Sequence, residues 1–402
     1  MSTAAKQIKD NCLYCGNNPV SHHWTWFNET MAVIFNPLIA FLTDNFLMQR
    51  FNRLFDHIFS LVGKILEKAG FLSYVKERPN KLSHRTEVLW DEADSRGWRF
   101  ERLIFFGKDL DYYRVFVKND HPILFSGLPR PHYMPGLGDW WIDDKYLVKK
   151  VLSAKGLPIP KGGGFSNYNS LLRVFKKLDK PVIIKPRLGS RGRHTTTFIN
   201  SEEELFKAYK RAKQLCYWVI MEEHLIGDVY RGTMIGSKLV GVLSGNPPRI
   251  TGDGQSTILQ LIDLKNQNRH EGVSVFVPSD YTKEFLKKIG YNLNSVLPMG
   301  TTIDLTEKIG VSYGGSSAEV TQQTHPKIKD ILEQAAKAIG DPMIGFDFII
   351  KDISADPDNQ KWGIIECNGL PFINLHHDPI EGPPINAAAA VWDFVENNLN
   401  YY

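Results

Sequence analysis

Apolar positions recur along this chain in two rhythms, and the change between them falls near residue 80. Before it, Leu47, Phe51, Leu54, Phe55, Ile58 and Leu61 lie three or four residues apart, the spacing of an amphipathic helix packed on something. From about Ser83 the pattern alternates between helix and strand. RTEVLWDEADSRGW reads as a helix, RFERLIFFG as a strand and YRVFVKNDHPILF as a hairpin, which together make a small α/β unit. DDKYLVKKVLSAKGLPIP predicts a helix opened by an aspartate cap and stopped at Gly156 and Pro158. KPVIIKP is a strand, GSRGRHTTTFIN a glycine turn entering a Thr-rich strand, and YWVIMEE a further apolar strand. SEEELFKAYKRAKQL is a Ser-capped helix with an acidic first turn. Later helices are expected at STILQLIDLKNQ and HPKIKDILEQAAKAIG. The fold class is α/β in the broad α+β sense, without repeats or low-complexity tracts.

Length and composition narrow this only a little. A chain of 402 residues exceeds one small domain and suggests two or three units. With 48 basic against 44 acidic residues, net charge +4, the balance by itself gives no argument for nucleic acid or an anionic membrane, neither of which is expected as a partner, and leaves anionic small molecules open. Four cysteines are too few for a disulfide scaffold and fit a reducing compartment. The start is polar, without the apolar core of a signal peptide, and the uncharged, largely apolar stretch Thr30 to Thr43 is interrupted by Asn36 and Pro37. It falls short of the roughly 20 apolar residues of a membrane span. A cytoplasmic protein without a transmembrane segment is expected.

Candidate chemistry sits where charges interrupt apolar runs. In KWGIIECNGLPF, a strand of period two places Glu366 and Asn368 on one face. A buried carboxylate requires a cation or a donor. Asp347, the lone carboxylate within the apolar strand of PMIGFDFIIKD, could join them on a neighbouring strand, and three hard oxygen ligands suit Mg²⁺. The same pattern also fits polar residues facing outward from half-buried strands. Lys185 ends the strand PVIIKP and Lys149 lies in the DDKYLVKK helix, compact charges suited to phosphate oxygens or simply to solvent. GSRGRHT is neither a Walker A loop nor a Rossmann fingerprint, yet its backbone N–H groups with Arg191 and Arg193 could fold over phosphates. YWVIMEEHL, running into Glu222 and Glu223, offers an apolar slot with hydrogen-bonding ends for a purine.

The order of these features resembles that of an ATP-grasp domain, and about Asp143 to Val395 is similar to the ATP-grasp module of the cyanophycin synthetase family. DDKYLVKKVLSAKGLPIP is similar to the family's D-K-x-x-T-K…G-[VI]-P-[VI]-P, which puts Lys149 at its phosphate lysine. VIIKPRLGSRGRHT resembles V-V-K-P-x-x-G-N-H-G-R-G-V at Lys185, Gly189, Gly192 and Arg193. VIMEEHLIGDVYR resembles the hinge V-I-V-E-x-x-x-x-G-x-D-Y-R at Glu222, Gly227, Tyr230 and Arg231. ITGDGQSTILQLI, the most specific string, is close to V-T-G-D-G-K-S-T-I-x-E-L-I, and VSYGGSSAEVT resembles N-L-S-T-G-G-x-x-x-D-V-T. IIECNGLPFINLHHDPIEGPP is similar to V-I-E-V-N-x-x-P-G-F-R-M-H…P-S-E-G-x-P, without gaps, at Glu366, Asn368, Pro371, His376, Pro379, Glu381 and Gly382.

The resemblance implies an ATP-grasp fold over 141–402, with a first subdomain (141–220) bearing the glycine hairpin and a second (221–402) bearing the metal site. A small α/β domain (81–140) and a mostly helical extension (1–80) precede it. It implies an ATP-dependent carboxylate–amine ligase that forms an amide through an acylphosphate, from a small-molecule acid and an amino-acid or peptide amine. A non-catalytic ATP-binding scaffold and an ATP-grasp phosphotransferase are the alternatives. ATP would be held by Lys149, Lys185, Gly189, Ser190, Arg191, Gly192, Arg193, Glu222, Glu223 and Asp228, and Mg²⁺, as two ions, by Asp347, Glu366 and Asn368. Arg231 and Lys185 are the implied catalytic residues, and Ser312, Gly314, Gly315, Asn374 and His376 the implied substrate contacts. A homodimer or homotetramer is the implied assembly.

Departures cluster at the substrate side. Val229 stands where the family has an acidic residue and Asp228 is displaced by one, Arg191 and His194 replace a His and a Gly of the hairpin, Asn374 replaces an arginine, and Gly310 replaces an asparagine. The Mur-ligase-like domain that follows the module in cyanophycin synthetase has no counterpart here, so cyanophycin synthesis is not expected. At the other end, Cys12, Cys15 and Gly16 resemble a zinc knuckle, with His22 and His23 close behind. Cys12, Cys15 and His22 are the candidate zinc ligands, and a reduced, solvent-facing cysteine pair is the alternative. Trp24, Trp26 and Phe27 are expected to dock the extension on the body of the protein or on a second subunit.

Overall fold

The computed structural model describes residues 12, 14–15, 19–43, 61–79, 82–131, 141–189 and 192–402. Most of the helix expected around Leu47 to Ile58 lies outside the described residues, as do Ser190 and Arg191. The extension contributes helix α1 (His22–Thr43), which keeps Pro37 inside it, and residues 61–68 are also helical. No described helix is long and apolar enough to cross a membrane.

Four antiparallel strands then form a sheet in sequential order: β1 (Leu72–Val75), β2 (Arg99–Phe105), β3 (Lys108–Val117) and β4 (His121–Phe125). Helix α2 (His84–Ser95) crosses it, started by Ser83, whose hydroxyl accepts the Thr86 N–H at 3.2 Å. β1 falls within residues 1–80, where helix was expected. Its run LSYV is too short to show a period in sequence, and it is made a strand by pairing with β2.

Next come α3 (Lys145–Ala154), β5 (Gly162–Phe165), α4 (Tyr168–Phe175), β6 (Val182–Pro186), β7 (Thr196–Ile199), α5 (Glu202–Ala212) and β8 (Val219–Glu223). The strands pair antiparallel in the order β5-β8-β6-β7. Leu171, Phe175, Leu205 and Ala208 close one face of this sheet over Ile184 and Met221. All five residues of β8 are buried, which carries Glu222 and Glu223 inside with it.

The second large sheet has the order β13-β10-β9-β14-β15, antiparallel throughout: β9 (Asp228–Ile235), β10 (Lys238–Gly245), β13 (Ser317–Glu319), β14 (Met343–Ile350) and β15 (Gly363–Asn368). Between β10 and β13, a two-stranded ribbon, β11 (Arg249–Thr251) with β12 (Thr302–Asp304), packs with α6 (Ile258–Gln267) and α7 (Asp280–Lys288) around a small core of Ile250, Ile262, Phe276 and Leu286. One face of the five-stranded sheet carries Phe346, Phe348 and Ile364 against α3 and α8 (Pro326–Ile339), through Leu152, Ile328 and Leu332. The opposite face carries Arg231, Asp347, Glu366 and Asn368 toward one end and the apolar Ile235 and Met343 toward the other.

The C-terminal elements α9 (Asn374–His377) and α10 (Ala387–Asn397) return to the small first sheet. Trp392 is fully buried, donates from Nε1 to the Leu89 carbonyl at 3.0 Å, and meets Trp98 and Phe125 edge-on at 5.6 and 5.8 Å. The same core takes in Ile235 and Met343 from the five-stranded sheet. A hydrophobic region between residues 72 and 125 is therefore completed by residues from the far end of the chain. Trp392→Ala is expected to lower the unfolding free energy by about 3–5 kcal/mol in urea titration. A loss below about 1 kcal/mol would show that the small sheet does not depend on α10.

Candidate functional site

The lysine side is set by one helix start. Asp144 caps α3 by accepting the N–H of Tyr146 at 2.9 Å and of Leu147 at 3.2 Å, and it is itself clasped by Arg187 at 2.7 and 2.9 Å. That start places Lys145 first in the helix and Lys149 one turn on, along the same face. Lys149 Nζ donates to Glu222 Oε1, and Lys185 Nζ lies 3.2 Å from Glu222 Oε2. One buried carboxylate thus serves two buried ammoniums. Burial, with the like charge of Lys185 beside it, brings the Lys149 ammonium down to about 7 even though Glu222 opposes the shift. Glu222 itself would be raised by burial, but the two lysines hold it below the usual carboxylate range.

The acid side is set by register. On β14, Asp347 stands opposite Arg231 of β9 on one side and Glu366 of β15 on the other. Arg231 grips both Asp347 oxygens, at 2.6 and 2.7 Å, and Asn368 Nδ2 approaches Oδ2 at 3.4 Å. Burial works against the Arg231 charge, and Asp347 more than compensates, raising its pKa. The expected alternation of β15 is broken by a bulge: Glu366 faces Asp347 while Ile364 faces Phe348, so Ile365 is the extra residue. The bulge turns Ile364 into the core and leaves Glu366 and Asn368 on the polar face.

The two sides meet. Lys145 Nζ donates to the Gly189 carbonyl at 2.5 Å and lies 3.2 Å from Glu366 Oε1. Lys185 Nζ reaches the carbonyl of the bulged Ile365 at 3.4 Å. Burial alone would raise Glu366, but Lys145 and Lys185 outweigh it and keep the carboxyl below its ordinary range. Asp143, next to the cap, is raised by burial, with Glu366 adding to the shift. Sequence reasoning missed Lys145, although its position four residues before Lys149 on one helix face was the available signal.

Other candidates lie elsewhere. Gly189 and Gly192 adopt left-handed conformations at φ 102° and 61°, and a Cβ at either would meet nothing. Arg193 follows them in the hairpin. Glu223 accepts the Lys161 N–H at 3.0 Å and pairs with Lys361 at 2.6 Å, while Asp228 is held by Arg249 at 3.2 Å. Ser312 is exposed, but Gly314 and Gly315 are packed in the protein: a Cβ would come within 2.9 Å of Phe276 Cβ and 2.0 Å of the Asn246 carbonyl respectively. These glycines are required by packing. Asn374, half-buried, opens α9. His376 is fully buried, with Nδ1 2.5 Å from Glu319 and Nε2 2.8 Å from the Thr233 hydroxyl, so both ring nitrogens are already occupied. Cys12, Cys15 and His22 converge in a separate cluster.

Residues 142–369 match the description ATP-grasp domain, and with more than half of its length matched the chain belongs to the ATP-grasp family. It is 34% identical over 262 residues to cyanophycin synthetase from Trichormus variabilis, covering 63% of this chain and 29% of that protein. It is 26% identical over 384 residues to the glutathione biosynthesis bifunctional protein GshAB of Clostridium perfringens, covering 87% of this chain and 48% of that one. In fold it resembles the bifunctional glutathione synthetase from Pasteurella multocida, with a TM-score of 0.56 at 23% identity over 78% of this chain and 44% of that chain. The chain spans less than half the length of each of these relatives.

The depressed Lys149 has a consequence for stability. Its ordinary value is 10.5 and its folded value about 7, so between those pH values the unfolded chain binds the proton that the folded protein has given up. The burial cost is full below about pH 7 and is relieved as pH rises. Relative to Lys149→Met, in which Glu222 keeps Lys185, the wild type should therefore gain up to about 1.4 kcal/mol per pH unit above pH 7. Urea unfolding of both proteins at pH 6, 7.5 and 8.5 measures this. A difference that does not change with pH would place the Lys149 proton elsewhere.

Proposed function

We propose that the chain is an ATP-dependent carboxylate–amine ligase acting on amino-acid or peptide substrates. The observation that carries the reading is the facing of two opposite charge sets: Lys145, Lys149 and Lys185 on one wall, Asp347, Glu366 and Asn368 on the other. The relatives, a cyanophycin synthetase and a glutathione biosynthesis protein, support the reading, since both form amide bonds. The boundary expected at 220/221 would cut β8, a strand of the first large sheet, so the two halves of the proposed nucleotide clamp divide after Glu223, with Lys145 reaching Glu366 and Lys185 reaching the Ile365 carbonyl across the seam.

The donor set fits a hard divalent cation. Asp347 and Glu366 are cross-strand partners, Asp347 Oδ1 and Glu366 Oε1 each keep a second lone pair after contact with Arg231 and Lys145, and the Asn368 amide lies on the same face. Asp347, Glu366 and Asn368 would hold Mg²⁺, as two ions, whose charge would offset that of the phosphates. Lys149 and Lys185 would leave Glu222 for the α- and β-phosphates, and Lys145 would leave Glu366 as that carboxylate is recruited. An oxygen of the acid attacks the γ-phosphorus and ADP leaves. The amine nitrogen then attacks the acyl carbon and inorganic phosphate leaves. Arg231, anchored through Asp347, is placed to steady the charge that builds in both steps, a contribution of about 2–4 kcal/mol for one such donor. The hairpin at Gly189 and Gly192 would shield the acylphosphate from water.

The test is ADP release by the purified full chain over a panel of acids and amines. Release should require both, and Glu366→Gln should cut turnover on the order of 10²–10³-fold in protein that circular dichroism shows to be folded. Phosphorylated acid accumulating without any amine would make the protein a phosphotransferase. ATP binding without ADP release on the whole panel would make it a non-catalytic binder.

A further inference from the structure

The second chemical constellation has nothing to do with phosphate. Cys12 and Cys15 form a tight turn in which the Cys15 N–H donates to the Cys12 carbonyl at 3.1 Å. His22 is the first residue of α1, and His194 comes from the hairpin after β6, 179 residues beyond Cys15. Their ligand atoms, two sulfurs and two imidazole nitrogens, all lie within 4.8 Å of one another. We propose that Cys12, Cys15, His22 and His194 bind one structural Zn²⁺ that ties the N-terminal segment to the glycine hairpin. This goes beyond the ligase reading and does not rest on it.

The geometry is that of a tetrahedral shell. Cys12 Sγ lies 3.3 Å and Cys15 Sγ 3.5 Å from His194 Nε2, and Cys15 Sγ lies 3.3 Å from His22 Nε2. A Zn²⁺ ion with Zn–S of about 2.3 Å and Zn–N of about 2.0–2.1 Å sets sulfur–nitrogen edges of about 3.5 Å. His194 is oriented as metal-binding histidines are. Its Nδ1 donates to the Arg211 carbonyl at 2.9 Å, which fixes the tautomer and leaves the Nε2 lone pair directed at both sulfurs. Cys15 and His194 are fully buried, so solvent does not compete for them.

Backbone and sequence agree. His194 holds φ at +52°, a left-handed conformation that side chains adopt only at a cost, and the resembling motif has glycine at this position. A residue that ill suits the backbone is kept where its imidazole completes the set. The hairpin is also docked on the knuckle by the His194 N–H, which donates to the Tyr14 carbonyl at 3.2 Å, and by the Arg211 guanidinium over the Tyr14 ring at 3.5 Å. Four ligands and closed surroundings mark a structural rather than a catalytic zinc. His23, though adjacent to His22, is exposed and takes no part.

The full chain, purified under reducing conditions without chelator, should carry about one zinc per chain by elemental analysis. His194→Gly, which suits the backbone and removes only the ligand, and Cys15→Ser should both lose it, while His23→Ala should keep it. Co²⁺ exchanged into the wild type should show thiolate charge-transfer and tetrahedral d–d bands that His194→Gly lacks. Chelation of the wild type should lower its melting temperature and speed tryptic cleavage at Arg193, with no such response in His194→Gly. Zinc well below stoichiometric in folded wild type, a Cys12–Cys15 disulfide under reducing conditions, or full zinc retention in His194→Gly would overturn the proposal.

Discussion

Charge neutralisation across a seam organises this molecule. Each of three lysines, Lys185 on the first large sheet and Lys145 and Lys149 on α3, ends on an oxygen that a neighbouring element supplies, and two of these contacts reach β15 of the second sheet. Buried ions are tolerated only in such company, because an uncompensated ammonium or carboxylate inside a protein costs several kcal/mol. The pairing explains why so much charge can sit together without solvent. Under the proposed function, a nucleotide and its divalent cation would enter this seam by exchange, phosphates for the carboxylates on one wall and metal for the lysines on the other.

Register makes the exchange possible. Arg231, Asp347 and Glu366 lie side by side on three adjacent strands, and the bulge at Ile365 serves two needs at once. It sends Ile364 into the core, where Phe348 lies opposite, and it turns the Ile365 carbonyl toward Lys185. The apolar face beneath, packed on α3 and α8, links the strands of Asp347 and Glu366 to the helix that carries Lys145 and Lys149. Packing and chemistry therefore share the same strands, and the residues between the site's side chains are core residues.

Much of this was legible in the sequence. The Asp-capped helix, the lysine strand, the glycine hairpin and the lone carboxylates each carry a local signal, since caps and two-residue alternation depend only on neighbouring residues. What escaped was non-local. β1 is a strand only because β2 pairs with it, and Trp392 belongs to a core begun some 300 residues earlier, as its bond to Leu89 shows. His376 looked like a substrate contact by position, yet its partners Glu319 and Thr233 close around it. His194 looked like drift in a phosphate loop until the fold brought Cys12, Cys15 and His22 to it.

The central claim is that the two walls grip one ligand. Titration calorimetry of ATP into wild type, Lys185→Met, Glu366→Gln and the double variant, each with Mg²⁺ and with EDTA, tests it most directly. The expected result is that Mg²⁺ tightens binding to wild type and Lys185→Met but has little effect on the two Glu366→Gln proteins, while Lys185→Met weakens binding under both conditions. An equal Mg²⁺ effect in all four proteins would contradict a shared site.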